Sequence, residues 1–168
     1  DTEVRGIIKK EVPLESYVAA NELTNKYGIE TINSVMLGLP GDTYRSIEKT
    51  ISFVRNSRAI KHATFGIAMP YPGSEMYEMA LKGEHGLKLE MQDFSKYQRY
   101  NSAVMTVNGI SPDELLRLQK KGLMRIYLVP WRIVPVLKRF GIKSLVKPFL
   151  IALLEFFKRP HKKKQCSS

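Results

Sequence analysis

The chain has 168 residues, 43% of them hydrophobic, and its 27 lysine and arginine residues outnumber 16 acids to give a formal net charge of +11. This length and hydrophobic content suffice for one buried core, and a single cysteine, Cys166, argues against a disulfide-stapled secreted domain. The apolar run at residues 145–157 is too short to span a membrane, which needs about 20 apolar residues. With no signal-peptide pattern at the start, we expect a cytoplasmic protein.

Two helices are predicted before the first strand. Residues 1–10 carry apolar side chains at helical spacing, and Pro13 is well placed to begin a second helix that ends at Gly28. We expect the second helix to bury a stripe made of Leu14, Tyr17, Val18 and Leu23. A helix that leads into a strand with no strand before it lacks its parallel partner, so we expect the chain to be a fragment of a longer protein.

The first predicted strand, residues 32–39, ends in the tetrapeptide Gly-Leu-Pro-Gly at 38–41. Glycine allows backbone angles closed to other residues, and proline cannot extend a strand ladder. Asp42 or Thr43 then caps a helix whose apolar positions are Ile47, Ile51 and Val54. Two interpretations stay open here: an ordinary helix-capping turn, or a loop that binds a polar ligand at the helix N-terminus.

A second strand and turn repeat this order. Residues 64–69 are apolar and are followed by Pro-Tyr-Pro-Gly-Ser-Glu at 70–75, and the two Pro-Gly pairs begin 32 residues apart, at Pro40 and Pro72. A βαβ unit takes about 30 residues or more. The chain therefore predicts consecutive β/α units, in which ligands bind at the loops that follow the strands.

The ordered set of Gly-Leu-Pro-Gly-Asp-Thr, helix, strand and Pro-Tyr-Pro-Gly-Ser-Glu resembles the C-terminal half of the radical S-adenosylmethionine enzyme domain. It is most similar to the branch that often carries a cobalamin-binding domain upstream, and the resemblance covers residues 12–127. It implies an α/β fold, the C-terminal half of a partial (β/α)6 TIM-like barrel, over residues 1–110. A helical, basic C-terminal extension would follow at 111–160, and a basic tail at 161–168.

The resemblance also implies which residues bind the cofactor. The end of the first strand would line the adenine pocket, and the end of the second would close the same side and face substrate or the adenosyl group. The residues at these positions are Met36, Gly38, Leu39, Pro40, Gly41, Pro70 and Tyr71. The parent protein would use S-adenosylmethionine, a 4Fe-4S cluster and, in this branch, cobalamin, for methyl transfer or cyclisation of a small-molecule substrate that the sequence does not identify.

The cysteine count sets this chain apart from the family. An iron-sulfur cluster needs several thiolates, and the family's three-cysteine loop has no counterpart among residues 1–168. We therefore predict no catalytic and no metal-binding residue here. We expect the chain to be inactive as an enzyme without the N-terminal half of the barrel.

The middle of the chain, residues 82–101, is polar and aromatic and predicts a loop with a short strand at 87–89. His85 has no second ligand at metal-binding spacing, so it is interpreted as a solvated loop histidine. Three aromatic residues cover a cavity mouth or fill the core: Phe94, Tyr97 and Tyr100. Residues 103–107 predict a further short strand.

From Ser111 onward the chain becomes helical and basic. Ser111 and Pro112 mark a strong helix start, with the helix running to about Leu128. Residues 117–168 contain 14 lysine and arginine residues and one acid, Glu155. The alternative function is therefore a non-catalytic basic α/β module that binds an anionic membrane peripherally, at its inner face, through an interfacial helix near 149–157. It is equally consistent with the sequence that these helices pack against the barrel and expose a basic face to solvent. Binding to nucleic acid is disfavoured, because no nucleic-acid-binding motif accompanies the charge.

Overall fold

The computed structural model describes residues 2–98 and 102–134. The interfacial segment near 149–157, the tail with Cys166, and Tyr100 lie outside the described residues. The chain divides into two compact units, residues 1–129 and residues 130–168. Of the second unit, residues 130–134 are described, and they are helical.

The first unit alternates helices and strands, as the sequence predicts. In chain order its elements are α1 (Thr2–Ile7), α2 (Leu14–Lys26), β1 (Ile32–Leu37), α3 (Tyr44–Asn56), β2 (His62–Ile67), α4 (Glu75–Lys82), β3 (Leu87–Leu89), β4 (Met105–Val107) and α5 (Pro112–Tyr127). Short 3-10 turns at Glu84–Gly86 and Phe94–Lys96 flank β3.

Strands β1 and β2 pair in parallel, and α3 is the crossover between them. The register runs from Ile32 opposite His62 to Leu37 opposite Ile67. The predicted βαβ unit is therefore present in the structure. Strands β3 and β4 form a separate antiparallel hairpin in which Leu87 is opposite Val107.

The core lies between β2, α3 and α5. The predicted apolar face of α3 is confirmed, since Ile47, Ile51 and Val54 are all buried. Helix α5 comes close at Gly122, where an added Cβ would lie 3.1 Å from both Ile51 Cδ1 and Phe65 Cε2. The absence of a side chain at this position allows the close approach of α5 to the sheet.

Helix α5 also covers the edge of β2 that does not pair with β1. The Gln119 side chain donates to the Phe65 carbonyl at 2.6 Å, and the Tyr127 hydroxyl donates to the Ala63 carbonyl at 3.0 Å. The Ala63 N–H in turn donates to the same hydroxyl at 3.4 Å. Buried backbone groups at a strand edge need hydrogen-bond partners. Side chains of α5 therefore make the hydrogen bonds that the backbone of a further strand would otherwise make.

The expected buried stripe on α2 is only half-buried at Leu14, Tyr17 and Val18, and it is wrong at Leu23. Leu23 is 56% exposed, and the buried residue of this helix is Asn21. The Asn21 carboxamide donates to the Tyr17 carbonyl and exchanges hydrogen bonds with the Asn33 carboxamide of β1. An amide network thus joins α2 to β1, because β1 presents a polar side chain to the helix.

Candidate functional site

The loop that follows β1, residues 38–42, begins with a glycine in a left-handed conformation. Gly38 has φ +75° and Gly41 has φ +81°, a region that glycine adopts without steric cost. A Cβ at Gly41 would lie 2.5 Å from Ile7 Cδ1, and one at Gly38 would lie 3.3 Å from the Leu115 methyl groups. Strand β1 ends at Leu37, two residues earlier than predicted, because the backbone leaves the extended conformation at Gly38.

The buried Asp42 side chain stabilises this loop through hydrogen bonds. Its carboxylate, in a residue only 4% exposed, accepts the Leu39 N–H at 3.0 Å and the Ser46 hydroxyl. Burial raises the pKa of the Asp42 carboxyl above its ordinary value, and the hydrogen bonds from Ser46 and the loop amides oppose that shift only in part. Thr43 is the N-cap of α3 and forms a capping box with Ser46. The two predicted caps therefore have different roles.

The β3–β4 hairpin contacts the other side of the loop. The Gly41 N–H donates to the His85 carbonyl at 3.0 Å, and the Asn108 carboxamide donates to the Asp42 carbonyl at 2.9 Å. The sequence interpretation missed Asn108, although Asn followed by Gly109 is a common turn signal. His85 takes part through its backbone, and its side chain is exposed, as expected for a loop histidine.

The loop that follows β2 lies at the same edge of the sheet, since the Ala68 N–H donates to the Leu37 carbonyl at 2.8 Å. Pro70 is buried, whereas Tyr71 is 49% exposed. Ser74 is the N-cap of α4, and its hydroxyl donates to the Tyr71 carbonyl at 2.6 Å. Both predicted loops thus occupy the carboxyl-terminal ends of neighbouring parallel strands.

Aromatic rings flank the second loop. The Tyr71 and Tyr97 ring centroids are 6.1 Å apart, and those of Phe94 and Tyr97 are 5.2 Å apart in an edge-to-face arrangement. Phe94 is 55% exposed. Two of the three aromatic residues expected at a cavity mouth therefore cluster with Tyr71, one of the predicted site residues.

One face of the β1–β2 sheet is open. Met36 is 50% exposed and lies opposite Gly66, where no described atom would come within 4 Å of an added Cβ. We call this surface the open face; its residues are Ile32, Ser34, Met36, His62, Thr64 and Gly66. Of the predicted cofactor-binding residues, Met36 and Tyr71 are exposed, Leu39 and Gly41 are half-buried, and Gly38, Pro40 and Pro70 are buried.

The chain does not fit an iron-sulfur cluster, since its one cysteine cannot supply the several thiolates required. Within residues 2–98 and 102–134, no group of three or more His, Cys, Asp or Glu side chains is arranged to hold a metal ion. In the same part of the chain, no helix is both long enough and apolar enough to cross a bilayer.

Two curated proteins match most of this chain. It is 29% identical over 123 residues to an uncharacterised methyltransferase from Pyrococcus horikoshii, an alignment that covers 73% of the chain and 26% of that protein. It is 25% identical over 122 residues to the anaerobic magnesium-protoporphyrin IX monomethyl ester cyclase from Rubrivivax gelatinosus, covering 73% of the chain and 21% of the cyclase. No family model and no solved structure matches the chain.

The structure places the chain among mixed α/β proteins, with two loops at the carboxyl-terminal ends of parallel strands. The relatives, named as a methyltransferase and a cyclase, support at low identity a relationship to radical S-adenosylmethionine enzymes. The aligned region spans about a quarter of the length of each relative.

Proposed function

We propose that this chain forms one wall of the S-adenosylmethionine site of a radical S-adenosylmethionine enzyme. The observation that carries the proposal is the open face at Met36 and Gly66, which lies beside two loops at the carboxyl-terminal ends of parallel strands. Ligands of open and closed parallel sheets bind at such ends. The relatives named as a methyltransferase and a cyclase support the use of this cofactor.

The two loops would hold different parts of the ligand. The positive φ of Gly38 and Gly41 turns the first loop so that its backbone would face a nucleoside at the end of β1. Met36 and Tyr71 offer an exposed thioether and an exposed ring for contact with the adenosyl group and substrate. When bound, S-adenosylmethionine supplies a transferable methyl group or a hydrogen-abstracting radical. Any cluster or cobalamin would be held outside the residues that the structure describes.

The unpaired edge of β1 leaves room for further strands. Within the described residues, β1 pairs with β2 on one side and presents its other edge unpaired. We propose that strands from the rest of the protein continue the sheet from this edge into a partial (β/α)6 barrel, with the open face turned inward. The barrel half would take in residues 1–110.

Filling the open face tests the proposal. Gly66→Leu places a side chain beside Met36 without a backbone penalty, because Gly66 does not have a positive φ and has space around its Cβ. In the full-length protein we expect S-adenosylmethionine affinity, measured anaerobically by calorimetry, to fall about tenfold, which corresponds to about 1.4 kcal/mol.

The matched control is Gly6→Leu in α1, a second glycine with open space and no positive φ. Gly6→Leu should leave the affinity unchanged, and neither variant should lower the unfolding midpoint, because glycine is the less favourable residue inside a helix or strand. Equal affinities for wild type and Gly66→Leu would mean that the open face does not contact the cofactor.

A second function, peripheral binding to an anionic membrane, is favoured by the 14 basic residues and single acid at 117–168. Each lysine or arginine near such a surface contributes about 1 kcal/mol. We expect sedimentation with anionic vesicles that is lost at high salt and reduced by Phe149→Ser with Leu153→Ser. Absence of sedimentation with a folded sample would exclude this function, and binding insensitive to the two serine changes would exclude an interfacial helix.

A further inference from the structure

Two hydrogen bonds tie the 38–42 loop to a hairpin far along the chain, and a third joins the two ends of that hairpin. The Gly41 N–H donates to the His85 carbonyl at 3.0 Å, and the Asn108 carboxamide donates to the Asp42 carbonyl at 2.9 Å. The Asn108 N–H donates in turn to the Gly86 carbonyl at 2.7 Å. The residues before β3 and after β4 are thereby joined to one another and to the loop.

The residues that make these contacts have costly backbone conformations. His85 has φ +50° and Asn108 has φ +45°, and the one other non-glycine residue with a positive φ among the described residues is Lys9. Strain of this kind persists where the surrounding structure imposes it and often marks functional segments. Here it occurs at the two positions that contact the loop.

Gly86 makes room for the Asn108 carboxamide. A Cβ at Gly86 would lie 1.9 Å from Asn108 Oδ1, and Gly86 has φ +74°. Asn108 itself is exposed and fills no core, whereas its neighbours Val107 and Ile110 are 0% exposed. The neighbours therefore stabilise the hairpin, and the Asn108 side chain is left with one evident role, its hydrogen bond to Asp42.

We infer that the β3–β4 hairpin is a clamp that fixes the shape of the 38–42 loop, and that Asn108 is a positioning residue for S-adenosylmethionine binding; this inference rests on the proposed function. Two glycines make the loop intrinsically flexible, because glycine has the largest backbone entropy. The Asp42 carboxylate accepts a hydrogen bond from the Leu39 N–H within the loop, and the Asp42 main-chain carbonyl accepts one from the Asn108 carboxamide of the hairpin. Asn108 thus acts on the loop through Asp42.

Asn108→Asp tests the clamp because it removes the N–H donors without changing the size of the side chain. Aspartate tolerates the left-handed region as asparagine does, but it lacks the N–H donors and directs an oxygen at the Asp42 carbonyl. We expect faster amide exchange at Gly41 and S-adenosylmethionine binding at least about fivefold weaker, as for the loss of one hydrogen bond of about 1 kcal/mol. Asn108→Gly, which relieves the positive φ and removes the side chain, should show both effects and still fold.

The matched control is Asn25→Asp. The Asn25 carboxamide also donates to a backbone carbonyl, that of Ala59 at 2.7 Å, but before β2 begins, at the opposite end of the sheet. This variant should leave Gly41 exchange and ligand affinity unchanged.

The two readouts separate the possible outcomes. Unchanged Gly41 exchange in both Asn108 variants would overturn the clamp, and faster exchange with unchanged affinity would overturn the positioning role. Failure of the wild-type full-length protein to bind S-adenosylmethionine would refute the proposed function and the ligand role of Asn108, and the Gly41 exchange would then decide the clamp alone.

Discussion

Removing the charge of Asp42 should not destabilise the protein at neutral pH, whereas removing its side chain should. In Asp42→Asn the new carboxamide would keep one oxygen for the Leu39 N–H and would donate its NH2 to the Ser46 hydroxyl, whose single proton would then turn from residue 42 to the Thr43 carbonyl, 3.0 Å away. In Asp42→Ala the half-buried Leu39 N–H and the buried Ser46 hydroxyl lose the carboxylate as hydrogen-bond partner, a loss of about 1–3 kcal/mol. We therefore expect the free energy of unfolding of Asp42→Asn to equal or exceed that of wild type, and that of Asp42→Ala to be lower by this amount.

The pH dependence follows from the raised pKa of Asp42, which is caused mainly by burial. The folded protein binds this proton more tightly than the unfolded chain, so the stability contributed by protonation is complete below the ordinary aspartate pKa and is lost as the pH rises through the folded pKa. Wild type should therefore gain stability relative to Asp42→Asn when the pH is lowered through this window.

Urea unfolding followed by far-UV circular dichroism, at neutral and mildly acidic pH, measures both effects. The comparison with Asp42→Asn cancels the titration of the other carboxylates to first order. A wild type that loses stability relative to Asp42→Asn on acidification would show that the hydrogen bonds of the charged carboxylate outweigh its burial, and the reasoning would be refuted.

Three further predictions concern α5 and can be checked by thermal and urea unfolding. Gln119→Leu should cost about 1–3 kcal/mol, because the Phe65 carbonyl would stay buried without its partner; a neutral result would mean that water replaces the amide. Gly122→Val should cost about 1–3 kcal/mol through overpacking against Ile51, and a stabilised variant would contradict the close approach of α5. Ser111→Ala should cost about 1 kcal/mol through loss of the N-cap bond, with Ser111→Asp retaining wild-type stability.

Local signals in the sequence predicted much of the fold. Ser111 before proline marked the start of α5, the apolar spacing of α3 marked its buried face, and the Pro-Gly pairs marked the strand ends. Each of these depends on interactions within a few residues, so it can be found in a single sequence. The positive φ of Gly38 and Gly41 was anticipated for the same reason.

Contacts between distant residues could not be predicted in this way. The Asn108 carboxamide and the Asp42 carbonyl are 66 residues apart in the chain, and no periodicity links them. The Asn21 network was missed because α2 carries enough apolar residues to suggest an ordinary buried stripe, while the side chain it meets on β1 is polar. The assignment of the loops to a cofactor came from the family resemblance and stays a prediction.

The side chains of α5 along β2 have a consequence for self-association. Gln119 and Tyr127 occupy backbone groups that an incoming strand would need, so within the described residues the sheet has one edge available, that of β1. Fibrils grow because each added chain offers a fresh edge for the next. A molecule with a single usable edge can pair only once through this sheet, and in the proposed barrel strands from the rest of the protein would cover that edge as well.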